Sequence, residues 1–124
     1  MQRWTLVLLA FSGLFGAAGV AAAALSVHEA AGPDLQIASY FLLFHAAAIG
    51  GIAGGAVLPR AGFLTSASIL AAGTLLFCGD LAMRGLTGTR LLPMAAPTGG
   101  SLLILGWLVL TFVSVRGLWS RGKA

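Results

Sequence analysis

Four long apolar runs divide the chain, and short segments containing charged residues, glycine and proline separate them. The runs cover residues 4–25, 37–58, 61–83 and 101–119. A helix of about 20 residues is roughly 30 Å long, which matches the hydrocarbon core of a bilayer. Helices satisfy their own backbone hydrogen bonds in lipid, and the runs lack the short alternating segments of a barrel. The pattern therefore predicts an all-α, integral membrane four-helix bundle forming a single transmembrane domain over residues 1–124.

The composition supports a lipid-covered surface. Apolar residues make up 59% of the chain and charged residues 8%, whereas soluble domains carry roughly 25% charged residues. The formal net charge is +4, but the basic residues are scattered at the ends of the apolar runs. Nucleic-acid binding requires a basic patch on one face, so we do not expect it. The single cysteine, Cys78, excludes an intrachain disulfide, and no zinc or iron–sulfur spacing occurs.

The first apolar run also shares features with a cleaved signal peptide. Arg3 precedes it, and four alanines at 21–24 could form a small-residue cleavage site. The run is longer than the roughly 7–15 residues of a signal-peptide core. We therefore expect it to be retained as the first span.

The basic residues predict how the chain is oriented. With four spans, the termini and the second loop share one side of the membrane. That side holds Arg3, Arg60, Arg116, Arg121 and Lys123. The first and third loops hold only Arg84 and Arg90. Because Lys and Arg collect on the cytoplasmic side, we expect both termini to be cytoplasmic.

Small residues recur at helical spacing and predict close helix packing. Such pairs, four residues apart, lie on one helix face and let backbones approach in lipid. The glycines expected to pack in this way are Gly50, Gly51, Gly54, Gly55, Gly99 and Gly100. The contacts could lie within the chain, between copies of it, or with other membrane protein subunits.

Polar residues in or beside the apolar runs are the candidate functional residues, because polar groups are costly at membrane depth. They are His28, Tyr40, His45, Asp80 and Arg84. Asp80 and Arg84 are four residues apart and can pair on one helix face. Two interpretations are open. The residues could line an outward-facing polar pocket with His45 at its floor, or they could form a hydrogen-bonded clasp between helix ends.

The segment before the fourth run is rich in proline and glycine. Pro93 and Pro97 argue against a continuous helix there. The segment 91–100 could form a free loop or dip into the bilayer.

The sequence contains no motif that indicates an enzyme or a bound cofactor. We find no catalytic triad spacing, metal-binding motif or phosphate loop. A bis-histidine haem site would need His28 and His45 at similar depth, but helix geometry separates them by roughly 13 Å. We expect no catalytic activity and no cofactor.

Four motifs in order resemble the domain of unknown function 423 family. The first is a glycine- and alanine-rich first span that ends near His28. The second is aromatic-x-x-x-His-Ala at 41–46, and the third is Gly-x-x-x-Phe-small-Gly at 73–79. The last is Pro-x-Gly-Gly at 97–100, followed by Gly-Trp at 106–107.

This chain departs from that pattern at two points. Phe41 stands where the family often has tyrosine, and Asp80-Leu81-Ala82 replaces Ser-Leu-Tyr. The resemblance implies a small four-span protein of the bacterial inner membrane, and it implies no particular activity.

Two functions remain open from the sequence. The leading hypothesis is an accessory, assembly or structural subunit that acts through helix contacts in a membrane complex. The alternative is a carrier or binding protein for a small or lipidic molecule that uses the outer polar residues.

Overall fold

The computed structural model describes residues 1–28, 32–55 and 60–122, and these residues form four helices. They are α1 (Gln2–Ser26), α2 (Pro33–Gly54), α3 (Arg60–Thr87) and α4 (Ala95–Arg121). Each helix is long and apolar enough to cross a membrane. The predicted all-α bundle of four membrane-spanning helices is thereby confirmed.

The helices pack mainly against their neighbours in the chain. α1 lies along α2, α2 along α3, and α3 along α4, while α1 touches α3 more lightly. Within the described ranges, the backbone of α4 approaches α3 and stays away from α1 and α2. The result is a three-helix unit with α4 on its flank, which leaves an open groove between α2 and α4.

The ends of α2 and α3 follow from local chemistry. Pro33 opens α2 in the first turn, where its missing N–H costs nothing. α2 ends at Gly54, because Gly55 is extended. The second predicted span, 37–58, begins four residues after the start of α2 at Pro33. Its last residues, 56–58, lie outside the described part of the chain. α3 ends before Gly88, whose φ of +73° suits a helix C-terminus.

α4 begins earlier than the sequence predicts. It starts at Ala95, so Pro97 lies in its first turn, where proline is tolerated. Gly99 and Gly100 are consequently helical rather than part of a loop. Of the segment 91–100, only residues before Ala95 lie outside a helix.

Arg60 closes the end of the bundle at which α2 ends and α3 begins. Its guanidinium donates to the carbonyls of Gly55 at 2.7 Å and Ala53 at 3.2 Å. It also donates to the hydroxyl of Thr5 on α1 at 3.0 Å. A cation at a helix C-terminus satisfies carbonyls that have no partner within the helix and complements the helix dipole. Arg60 thus links three helices.

Candidate functional site

A groove with a volume of about 620 Å³ lies between α2 and α4. The walls come from α2 and α4, and one aromatic side chain of α3 closes the back. The lining residues are Tyr40, Phe41, Phe44, His45, Phe77, Gly100, Leu103, Ile104 and Trp107. Nearly all of this surface is aromatic or aliphatic. Ligand sites typically have volumes of about 300–1,000 Å³ and this kind of lining.

His45 lies buried in this groove, and both of its ring nitrogens are engaged. The Trp107 indole N–H can only donate, and it lies 3.3 Å from His45 Nε2. The Nε2 atom is therefore the acceptor, which places the proton on Nδ1. Nδ1 in turn donates to the carbonyl of Phe41 at 2.9 Å. The imidazole thus connects α2 to α4, and both of its nitrogens have a hydrogen-bond partner within the protein.

Aromatic contacts hold the groove walls in place around this bond. The ring of Phe41 lies 4.7 Å from that of Phe77 on α3, centroid to centroid. The ring of Phe44 lies 6.1 Å from that of Trp107 on α4. Such tilted pairs stabilise by about 0.5–1.5 kcal/mol each beyond their buried area. These contacts fix the positions of the aromatic rings that line the groove.

The polar end of the bundle, where α2 begins and α3 ends, is joined by a network that we call the clasp. Arg84 Nη2 lies 3.0 Å from Asp80 Oδ2, and Arg84 Nε lies 3.8 Å from Asp34 Oδ2. The other oxygen of Asp80 accepts from the backbone N–H of Leu91 at 2.8 Å. The clasp thus joins α2, α3 and the segment that leads to α4.

A close backbone approach supports the clasp. The N–H of Gly32 donates to the carbonyl of Gly85 at 3.1 Å. A Cβ atom at Gly85 would lie 2.7 Å from the backbone nitrogen of Leu35. Only glycine fits at position 85, and its lack of a side chain lets the start of α2 approach the end of α3.

A second cavity of about 440 Å³ lies beside the groove at the polar end. It shares the lining residues Phe77, Gly100 and Ile104 with the groove, so the two spaces are adjacent. Its lining also includes the side chains of Asp80, Arg84, Arg90 and Ser101, and we call this second space the polar mouth.

The five predicted polar residues lie in three parts of the structure: the groove, the clasp and the end of α1. His45 and Tyr40 line the groove, although the Tyr40 side chain is 61% exposed at its rim. Asp80 and Arg84 belong to the clasp. His28 is exposed beyond the end of α1 and lines neither cavity. The five residues do not line one polar pocket, because Phe77 and Gly100 stand between the groove and the clasp.

The predicted packing glycines also differ in their surroundings. A Cβ at Gly99 would meet the backbone of Phe77, 2.8 Å from its Cα. At Gly50 it would lie 2.8 Å from the hydroxyl of Ser12. Gly54 is 3.9 Å from a leucine methyl, and Gly51 has no neighbour within 4 Å. Gly55 approaches only carbonyls of its own helix end, and Gly100 faces the ring of Phe77 at 3.8 Å.

Sequence reasoning missed several close contacts. Cβ atoms at Gly73 and Gly106 would collide with Leu103 and Leu70 across the α3–α4 interface. Gly73 on α3 and Gly99 and Gly106 on α4 thus each allow the two helices to approach closely. This pattern becomes visible only once the pairing of α3 with α4 is known.

No group of three His, Cys, Asp or Glu side chains that could hold a metal ion occurs within residues 1–28, 32–55 and 60–122. The buried cysteine, Cys78, packs in the apolar core.

The comparisons with known proteins decide the family. A family model described as "Protein of unknown function (DUF423)" matches residues 12–100. The chain belongs to this family. In this DUF423 protein the match covers all of α2 and α3 and ends at Gly100, so it stops before Trp107. No solved structure matches the chain.

Proposed function

We propose that this DUF423 protein is a non-enzymatic multi-pass protein of the bacterial inner membrane that binds a lipidic molecule in the groove between α2 and α4. The observation that carries the proposal is the groove itself, with its volume of about 620 Å³ and its aromatic walls. Both nitrogens of His45 are engaged, which favours binding over catalysis. The excess of basic residues at the termini and second loop supports cytoplasmic termini.

The groove is accessible from the surrounding lipid. Its rim residues Tyr40, Phe44 and Ile104 are 61%, 64% and 65% exposed. Among the described residues the backbone of α4 lies close to α3 and not to α2, so the groove between the α2 and α4 side chains opens sideways, towards the acyl chains of the bilayer. An elongated apolar molecule can therefore enter without crossing water.

A Gly100→Leu substitution is expected to remove bound lipid. The Gly100 Cβ position has room beside the Phe77 ring, so the longer side chain extends into the groove. Native mass spectrometry of protein purified in mild detergent should find one retained lipid on the wild type and a several-fold loss on this variant.

The matched control is Gly13→Leu, because Gly13 on α1 faces open space away from the groove. This control should retain the lipid. An Ile104→Trp variant blocks the groove from its rim and guards against misfolding of the first variant. Equal lipid retention in the wild type and both groove variants would contradict the proposal.

A second candidate function, an accessory or assembly subunit acting through helix contacts, is favoured by an exposed strip on α2. Ala47 and Gly51 are exposed on adjacent turns, and no atom lies within 4 Å of the Gly51 Cβ position. Small residues on an outer face allow another helix to approach closely. For this function we expect an oligomer or a co-purifying subunit in mild detergent. A monodisperse monomer that carries lipid would favour the groove instead.

A further inference from the structure

We propose that the occupant of the groove is a phospholipid, with an acyl chain between α2 and α4 and its phosphate against Arg90. This inference rests on the proposed function and adds the chemical class of the ligand. It follows from the surfaces of the two adjacent cavities, the charges at the polar mouth and the way Arg90 is positioned.

The order of surfaces matches that of a phospholipid. The groove has an apolar lining, and the polar mouth adjoins it at the shared residues Phe77, Gly100 and Ile104. The polar mouth lies where α3 ends and α4 begins, which is the edge of the membrane-spanning region. Lipid headgroups lie beyond the ends of the hydrocarbon core that membrane-spanning helices cross, so a phospholipid with its acyl chain in the groove would place its headgroup at the mouth.

The charged side chain of this mouth that faces no carboxylate among the described residues is an arginine. Arg84 already faces two carboxylates, those of Asp80 and Asp34. Arg90 also lines the mouth, and it has no carboxylate within 4.0 Å among the described residues. A guanidinium matches the geometry of a phosphate and binds it through paired hydrogen bonds. Arg90 is therefore the side chain available to a headgroup.

The clasp holds Arg90 in position. The backbone N–H of Leu91, the next residue, donates to Asp80 Oδ1 at 2.8 Å, and this carboxylate is almost fully buried. The segment between α3 and α4 is consequently tied to α3 beside the mouth. The buried carboxylate thus has a positioning role for a residue it does not touch through its side chain.

The test compares two probes with identical acyl chains, phosphatidylglycerol and diacylglycerol, on the full-length protein in mild detergent. Native mass spectrometry should give the wild type a three- to tenfold preference for the phospholipid, the range expected for a partly exposed charge-assisted contact. Arg90→Gln should abolish this preference, and Arg90→Lys should retain part of it. Arg121→Gln, a matched charge loss at the other end of the bundle, should leave it unchanged.

The outcomes separate the two proposals. If wild type and Arg90→Gln prefer the phospholipid equally, or if both lipids bind the wild type equally, the phosphate contact is wrong while the groove proposal stands. If neither lipid binds the wild type, both proposals fail. Phosphatidylethanolamine carries the same phosphate as phosphatidylglycerol. If the wild type prefers phosphatidylglycerol over phosphatidylethanolamine and Arg90→Gln keeps that preference, recognition through the phosphate is wrong.

Discussion

Replacing Gly99 with alanine is expected to lower the free energy of unfolding by about 1–3 kcal/mol, the usual cost of overpacking a tight core. The new methyl would press on the backbone of Phe77, 2.8 Å from its Cα. Backbone atoms have no rotamer by which to move aside, so α4 must shift away from α3. The groove wall that α4 carries would shift with it. Denaturation in mixed micelles, followed by circular dichroism, measures the effect.

The neighbouring residue supplies the control. A Cβ at Gly100 lies 3.8 Å from the ring of Phe77, which is an ordinary contact. Gly100→Ala should therefore be neutral or slightly stabilising, because alanine is the better helix former by up to about 1 kcal/mol. Equal stability of the two alanine variants would show that α3 and α4 are not in the close contact described above.

Replacing Arg84 with methionine is expected to cost about 3 kcal/mol of stability, because it leaves a buried carboxylate without its partner. Asp80 is only 2% exposed, and its charge is matched at 3.0 Å by the guanidinium. The loss should also free the segment at Leu91, which the same carboxylate holds. Thermal unfolding in detergent, together with proteolysis between α3 and α4, checks both effects.

The double variant Asp80→Asn with Arg84→Met tests the cause. An asparagine at 80 has no charge to compensate, and its carbonyl oxygen can still accept from Leu91. Replacing both members of a buried pair is often nearly neutral, so we expect the double variant to regain most of the lost stability. A double variant as unstable as Arg84→Met alone would mean that packing of the arginine, rather than its charge, matters.

The sequence predicts the helices because the lipid environment sets the same requirements for every membrane span. Every span must be long, apolar and helical, and this holds whatever a helix touches. The pairing of Asp80 with Arg84 was also accessible, because residues four apart share a face of one helix. Predictions of this kind depend only on positions within a single element.

The candidate site depends on contacts between different helices, which local sequence patterns do not specify. Trp107 donates to His45 across 62 positions of the chain, and nothing in its local pattern separates it from a lipid-facing tryptophan. The predicted fourth span begins at residue 101, whereas the helix α4 begins at Ala95, because proline is tolerated in the first turn of a helix. The predicted polar group combines His28 with Asp80 because both are expected at a similar depth in the membrane. Depth alone does not determine which helix faces meet.

The pairwise packing of the helices also bears on how the protein is made. The contacts of Ser12 with the Ala46 carbonyl, and of Gly99 with Phe77, each lie within one hairpin of consecutive helices. Each hairpin can therefore close as soon as its own second helix has entered the bilayer. The joint between Gly32 and Gly85 needs both hairpins. The two hairpins can therefore pack separately during insertion, and the polar end joins them once both have entered the bilayer.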